Sequence, residues 1–369
     1  MKIECIKDKL QKAIFLTERI VGKNLSLPIL ANIFLEAKNN KLIIRSTNLD
    51  IGIEVKISIN IEKEGSVIVK PNILSSFLNN LKNEDKIKIE LINENLEIKT
   101  KNTSTIIKCE PIDDFPIIPS IKNENLLKIK ANDFIKGLKS VFFAASISDI
   151  KPEISSVYIY KENNELFFVA TDSFRLAENK IILNENSISF NHIIIPFKNI
   201  TEIIRVFEDS EYDLNIYSDE NQITIYTSDF YLTSRIIDGV YPDYRQIMPK
   251  QFKTQININK DDLIQTLKLN SIFLNKLNQI KIKLNLKNKT LEFETKNQDI
   301  GENTTTLPIE IDKGEEDIQM NFNAKYIIES FNSINEEIIT LNFNEPNKPL
   351  LIRGLNNNKF SYIIMPLNN

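Results

Sequence analysis

Phe167-Phe168-Val169-Ala170-Thr171-Asp172-Ser173-Phe174-Arg175-Leu176-Ala177 changes character halfway along. As far as Ala170 it is apolar and β-branched, the composition of a buried strand. At Thr171 it turns polar. Asp172 and Ser173 are turn formers, and Arg175 and Leu176 follow directly. The plain reading is a β-turn with a surface arginine. The sharper reading is a corner at the end of a sheet, where a fixed guanidinium and an exposed leucine form a binding site.

The chain repeats around this corner. Thr171 has counterparts 124 residues away on either side, Thr47 in Ser46-Thr47-Asn48-Leu49-Asp50 and Thr295 in Glu294-Thr295-Lys296-Asn297-Gln298-Asp299. Both outer copies continue as Asp-Ile-Gly, at Asp50–Gly52 and Asp299–Gly301, whereas the middle copy has Phe174-Arg175-Leu176. A departure confined to one copy marks that copy for a specialised site.

A shorter repeat lies beneath the longer one. Six times a strand-end residue stands five positions before the first core-facing residue of an amphipathic helix: Cys5/Leu10, Val69/Leu74, Ile129/Phe134, Ile195/Ile200, Ile258/Leu263 and Phe322/Ile327. The apolar spacing predicts helices near 8–20, 71–81, 132–145, 197–207, 260–273 and 324–334. Pro71 and Pro196 suit helix entrances, and Asp8, Asn132, Asn259 and Asn323 are the expected N-caps. Short alternating strands with Asn-rich turns fill the intervals. The expected fold is α+β, with three domains at 1–124, 125–252 and 253–369, each made of two helix-plus-antiparallel-strand units.

Composition narrows the function. The 369 residues are 42% hydrophobic and 26% charged, with no run long enough to span a membrane. Met1–Leu10 carries five charges and no apolar signal core, so a cytoplasmic location is expected and, with it, two free thiols at Cys5 and Cys109. Eight glycines form no phosphate loop, and the single histidine, His192, sits in a strand-like run without partners for a zinc set. Asp113–Asp114, Asp261–Asp262 and Glu315–Glu316 read as turn or helix-start carboxylates. No enzyme, cofactor or metal is expected.

Two faces remain. The predicted helices carry three more basic than acidic residues in a chain of net charge −4. Lys9, Lys12, Lys136, Lys139, Lys198 and Arg205 lie opposite or beside the apolar stripes, which suits a weak phosphate-facing surface, although the second helix carries no charge. An apolar face ends the chain at Ile363-Ile364-Met365-Pro366-Leu367, and the Pro-bounded segment Gly239–Pro249 precedes the third domain. Together these are the material of a groove for a short peptide.

Leu27-Pro28-Ile29-Leu30, Asp114-Phe115-Pro116, Ala170-Thr171-Asp172 with Arg175-Leu176-Ala177, Tyr241-Pro242-Asp243-Tyr244-Arg245 with Met248-Pro249-Lys250, and Tyr362–Pro366 resemble, in this order, the bacterial DNA sliding clamps, the beta subunits of DNA polymerase III. The resemblance covers the whole chain. It implies three domains of the DNA-clamp fold and a head-to-tail homodimer closed into a ring around duplex DNA. It also implies partners that share one pocket: the replicative polymerase, the clamp loader, and other polymerases and repair proteins. The family's peptide pocket carries over to Ile154, Thr171, Ser173, Phe174, Arg175, Leu176, Pro242, Arg245, Ile247, Ile363, Ile364, Met365, Pro366 and Leu367. Ser173-Phe174 and Gln246 depart from the family pattern, so polar selectivity is expected to differ. Lys23 (beside Asn24) and Lys151, with the helix cations above, are the DNA-binding candidates. Thr105, Ile107, Ile272 and Phe273 are those for the subunit junction. A repeat-built peptide-binding scaffold that never encircles DNA is the alternative.

Overall fold

The structure, a computed structural model, describes residues 1–22, 27–82, 84–111, 115–119, 126–183, 190 and 192–367. Lys23, Asn24, Asp113, Asp114 and the 124/125 boundary therefore lie outside the described residues. The chain forms two compact units. One is built chiefly from Met1–Ile135 and Lys198–Asp238, the other from Lys136–Asn186, His192–Phe197 and Gly239–Asn369.

Among the described residues the α-helices are α1 (Lys7–Glu18), α2 (Pro71–Asn80), α3 (Ala131–Val141), α4 (Phe197–Phe207), α5 (Lys260–Ser271) and α6 (Ala324–Ser330). All twelve residues of the five-position pairs are buried, so the spacing does mark where each strand hands its apolar face to a helix. Two of the expected caps hold: Asn259 accepts from the Asp261 and Asp262 N–H groups, and Asn323 from Lys325 N–H. Two do not. Ile6 is the N-cap of α1, with Asp8 in the first turn, and Asn132 lies one residue inside α3.

In these two the helix starts at Lys7 and Ala131, so Asp8 and Asn132 fall inside the first turn rather than before it. Five helices leave their strand without a spacer, and in each the first N–H donates to a carbonyl distant in sequence. The pairs are Lys7 to Asp85 (2.9 Å), Ala131 to Tyr212 (3.3 Å), Phe197 to Ser155 (3.0 Å), Lys260 to Glu337 (2.8 Å) and Ala324 to Asn278 (2.9 Å). The remaining helix, α2, follows its strand after Lys70 and starts at Pro71, which has no N–H to place.

In the first unit thirteen strands form one antiparallel sheet. It contains a seam between repeats, where Ile51–Ser58 pairs with Phe230–Arg235 in the register Ile51↔Ser234 and Gly52↔Thr233. In the second unit a nine-stranded sheet contains the matching seam, with Arg175–Ile182 against Phe360–Ile364 in the register Arg175↔Ile364 and Leu176↔Ile363. A separate four-stranded sheet ends on Gly301–Pro308. Both cysteines are free, and burial pushes the Cys5 thiol up to about 12. No described helix is long and apolar enough to cross a membrane.

Candidate peptide groove and surrounding surfaces

The corner at Thr171 is a hydrogen-bonded device. The Asp172 side chain accepts from Phe174 N–H (2.9 Å) and Arg175 N–H (3.0 Å). The Thr171 hydroxyl accepts from Ser173 N–H (3.1 Å) and donates to the Arg175 carbonyl (2.7 Å). These bonds hold Ser173 at φ 78°, the left-handed region that a non-glycine residue adopts at a cost.

Arg175 is not a surface arginine. Its Nε donates to Asp172 (2.9 Å), Nη1 to Glu329 and Nη2 to the Phe143 carbonyl (2.7 Å), and the guanidinium lies 4.2 Å from the centre of the Tyr326 ring. Burial alone disfavours the cation, but the facing carboxylates outweigh it and keep Arg175 charged. Leu176 is buried as well, contrary to the exposed position expected, because its strand is enclosed by pairing with Phe360–Ile364. Thr171, Ile363 and Ile364 are buried with it and form the floor.

The rim is apolar. Phe174 is 61% and Ile247 49% exposed, and Ile154, Met365, Pro366 and Leu367 are half-buried. Two bonds lay the end of the chain across the corner, Met365 N–H to the Phe174 carbonyl (2.8 Å) and Leu367 N–H to the Asn321 carbonyl (2.8 Å). The wall carrying Pro242 and Ile247 is pinned by Tyr241, which stacks on Tyr158 at 4.7 Å. Behind it a donor chain runs from Arg245 to Tyr160 (2.8 Å), to Tyr244 (2.6 Å), and on to Glu178. Arg245 also pairs with Glu162, so its charge is engaged within this wall. All of the expected pocket residues thus lie in the second unit, divided between a buried floor and an exposed rim.

The basic candidates differ among themselves. Lys9, Lys12, Lys136, Lys139, Lys151 and Lys198 are exposed, whereas Arg205 is half-buried and paired with Glu202 at 2.5 Å. Lys12 lies 3.8 Å from Asp209. Among the junction candidates, Ile272 is exposed and Phe273 half-buried. Ile107 requires correction. It is 3% exposed, opposite Leu96, while Ile106 is 66% exposed, because successive strand residues face opposite sides. Thr105 is half-buried.

Comparison with known sequences decides the family. Residues 1–119, 128–243 and 245–368 match the N-terminal, central and C-terminal domains of the DNA polymerase III beta subunit. The chain belongs to this family. It is 29% identical over 369 residues to the beta sliding clamp of Buchnera aphidicola subsp. Rhopalosiphum padi, covering 100% of both chains. It is 25% identical to that of Synechococcus elongatus, covering 100% of this chain and 99% of the relative. The fold superposes on a Pseudomonas aeruginosa DnaN sliding clamp bound to griselimycin with a TM-score of 0.94 at 21% identity, covering 100% of both chains. The Bacillus subtilis DNA polymerase sliding clamp superposes with a TM-score of 0.93 at 24% identity, covering 100% of this chain and 99% of that one.

In this beta-subunit chain, sequence reading overlooked the partners of Arg175. Phe143, Tyr326 and Glu329 come from segments distant in sequence, and no local pattern around Arg175 points to them. The tyrosine ladder was half visible, since Tyr241-Pro242-Asp243-Tyr244 stood out while its stacking partners Tyr158 and Tyr160 did not.

Proposed function

We propose that the protein is a non-catalytic processivity factor. Two copies close head to tail around duplex DNA, slide without reading sequence, and hold the polymerase, the clamp loader and repair proteins through the Thr171–Leu367 groove. The observation that carries this is the repeated seam. Phe230–Arg235 and Phe360–Ile364, each the last strand of a domain repeat, pair with Ile51–Ser58 and Arg175–Ile182. The remaining member of each set lacks that partner among the described residues. Gly301–Pro308 ends its sheet, and Ser104–Lys108 is paired only with Asn95–Lys99. Joining Ser104–Glu110 of one copy to Gly301–Pro308 of another makes the same seam a third time, and two such head-to-tail joints close a ring and leave neither of these strands as a free edge.

Exposed Ile106 and Ile272, together with the uncharged helix α2 and its exposed Ile73, suit that joint. A ring is held on DNA by topology, so a modest sequence-independent attraction from Lys9, Lys12, Lys136, Lys139, Lys151 and Lys198 suffices in a chain of net charge −4.

The test is retention. The protein is loaded onto nicked circular DNA with a clamp loader and ATP, and the DNA is then linearised. Retention on circles with loss from linear ends is expected, and equal behaviour on both overturns the reading in favour of a peptide-binding scaffold. Replacing Lys12, Lys136 and Lys139 with Ala is expected to impair loading while leaving peptide binding unchanged.

A further inference from the structure

The corner at Thr171 has a structural double in the first unit. The Thr47 hydroxyl accepts from Leu49 N–H (3.0 Å) and donates to the Ile51 carbonyl (3.0 Å), as Thr171 does with Ser173 and Arg175. The Asn48 side chain accepts from the Asp50 and Ile51 N–H groups, in the manner of Asp172. Leu49 has φ 75°, beside 78° at Ser173. Even the strap across the corner recurs, with Arg235 N–H donating to the Asp50 carbonyl at 2.7 Å where Met365 donates to Phe174.

The third wall recurs too. Phe115 stacks on Phe34 at 5.5 Å, as Tyr241 does on Tyr158, and the Tyr231 hydroxyl donates to the Pro119 carbonyl (2.9 Å). Pro116, Ile117 and Pro119, the corner Thr47–Gly52 and the strand end Thr233–Ile236 enclose a cleft of about 660 Å³. Gly52 stands where the second corner has Leu176, and Ile118 packs over it, 3.2 Å from where a Cβ would lie. The linker thus supplies the apolar floor that the strand omits.

We infer that this cleft is a second peptide-docking groove, which takes an extended segment with an aliphatic side chain followed by a cationic one. The aliphatic anchor meets Leu49, 45% exposed, and Ile117, 91% exposed. The cation is selected by charge. Among the described residues, Asp50 and Asp219 line this cleft against one cation, Arg235, whereas the acid of the second corner, Asp172, is taken up by Arg175. The inference extends the reading of the Thr171–Leu367 groove as a peptide site and rests on it. With Asp50 on its rim where the second corner has the exposed Phe174, the first groove buries less apolar surface and binds about tenfold more weakly.

The probe is acetyl-Gln-Leu-Ala-Leu-Lys-Lys-amide, titrated calorimetrically into the full-length protein. Wild type is expected to bind two peptides per chain, and the double variant Ile247→Glu/Met365→Asp one, with the weaker affinity. Adding Ile117→Glu, at a position too exposed to affect folding, is expected to remove that remaining site, and Asp50→Lys to weaken it at least tenfold. No binding in the double variant, or residual binding indifferent to Ile117→Glu and Asp50→Lys, overturns the inference while leaving the Thr171–Leu367 reading intact. Wild-type binding that the double variant leaves unchanged and Ile117→Glu abolishes overturns that reading instead and keeps the first groove.

Discussion

The corners at Thr47 and Thr171 share a backbone and differ in what they enclose. In the first, Ile51 and Gly52 follow the turn, and the linker's Ile118 covers the glycine. In the second, the same places hold Arg175 and Leu176, and the arginine ties together Asp172, the Phe143 carbonyl, Tyr326 and Glu329. The acid on the following strand behaves oppositely in the two units. Burial works against ionisation of Glu54, but Arg45 (2.6 Å) and Lys56 (3.0 Å) outweigh it and hold its carboxyl below the usual range. Its counterpart 124 residues on, Glu178, is half-buried beside tyrosines, and that burial raises its carboxyl above the usual range. The repeat preserves main-chain geometry and leaves the electrostatics to each copy.

The largest test of this contrast is Arg175→Ile, which gives the second corner the first one's residue. Asp172 is left buried without its cation, and a loss of about 2–4 kcal/mol is expected in urea unfolding, together with loss of peptide binding. A change under about 1 kcal/mol would mean that the second corner does not depend on its arginine.

The paired substitutions Thr47→Val and Thr171→Val measure what the corners share. Each removes the same donor and acceptor from a buried hydroxyl, so each is expected to cost about 1–2 kcal/mol, with the two values agreeing within about 0.5. Clearly unequal losses would break the equivalence of the two turns, and with it the structural case for a second groove.

The mildest test is a pH series on Glu54→Gln and Glu178→Gln. Glu54 has a lowered folded-state pKa, so its contribution is present above its unfolded value and fades as pH falls through the folded one. Glu54→Gln should therefore destabilise at neutral pH and less in acid. Glu178 has a raised pKa, so its carboxyl favours folding below the unfolded value and loses that contribution as pH rises through the folded one. Glu178→Gln should stabilise at neutral pH relative to wild type, and this gain should shrink in acid. Parallel pH dependence of the two variants would contradict the opposed environments.

Period and pattern were legible in the chain itself. The 124-residue interval between Thr47 and Thr171 reports one turn used twice, and the five-position pairs report one strand-to-helix exit used six times, because backbone hydrogen bonding and burial impose the same local demands on each copy. The third interval was legible only in part. Thr295 instead donates to Asn270 at 3.2 Å, and its strand runs on to Asn297, where among the described residues no further strand covers Gly301–Pro308.

What only the tertiary structure decided is which side chains meet. Sequence distance hides that Glu329 and Phe143 neutralise and bury Arg175, that Tyr212 and Asp85 carbonyls take the place of helix caps, and that Ile106 faces outward while Ile107 faces in. Those outcomes depend on groups brought together by folding, whose summed desolvation and pairing no single stretch encodes.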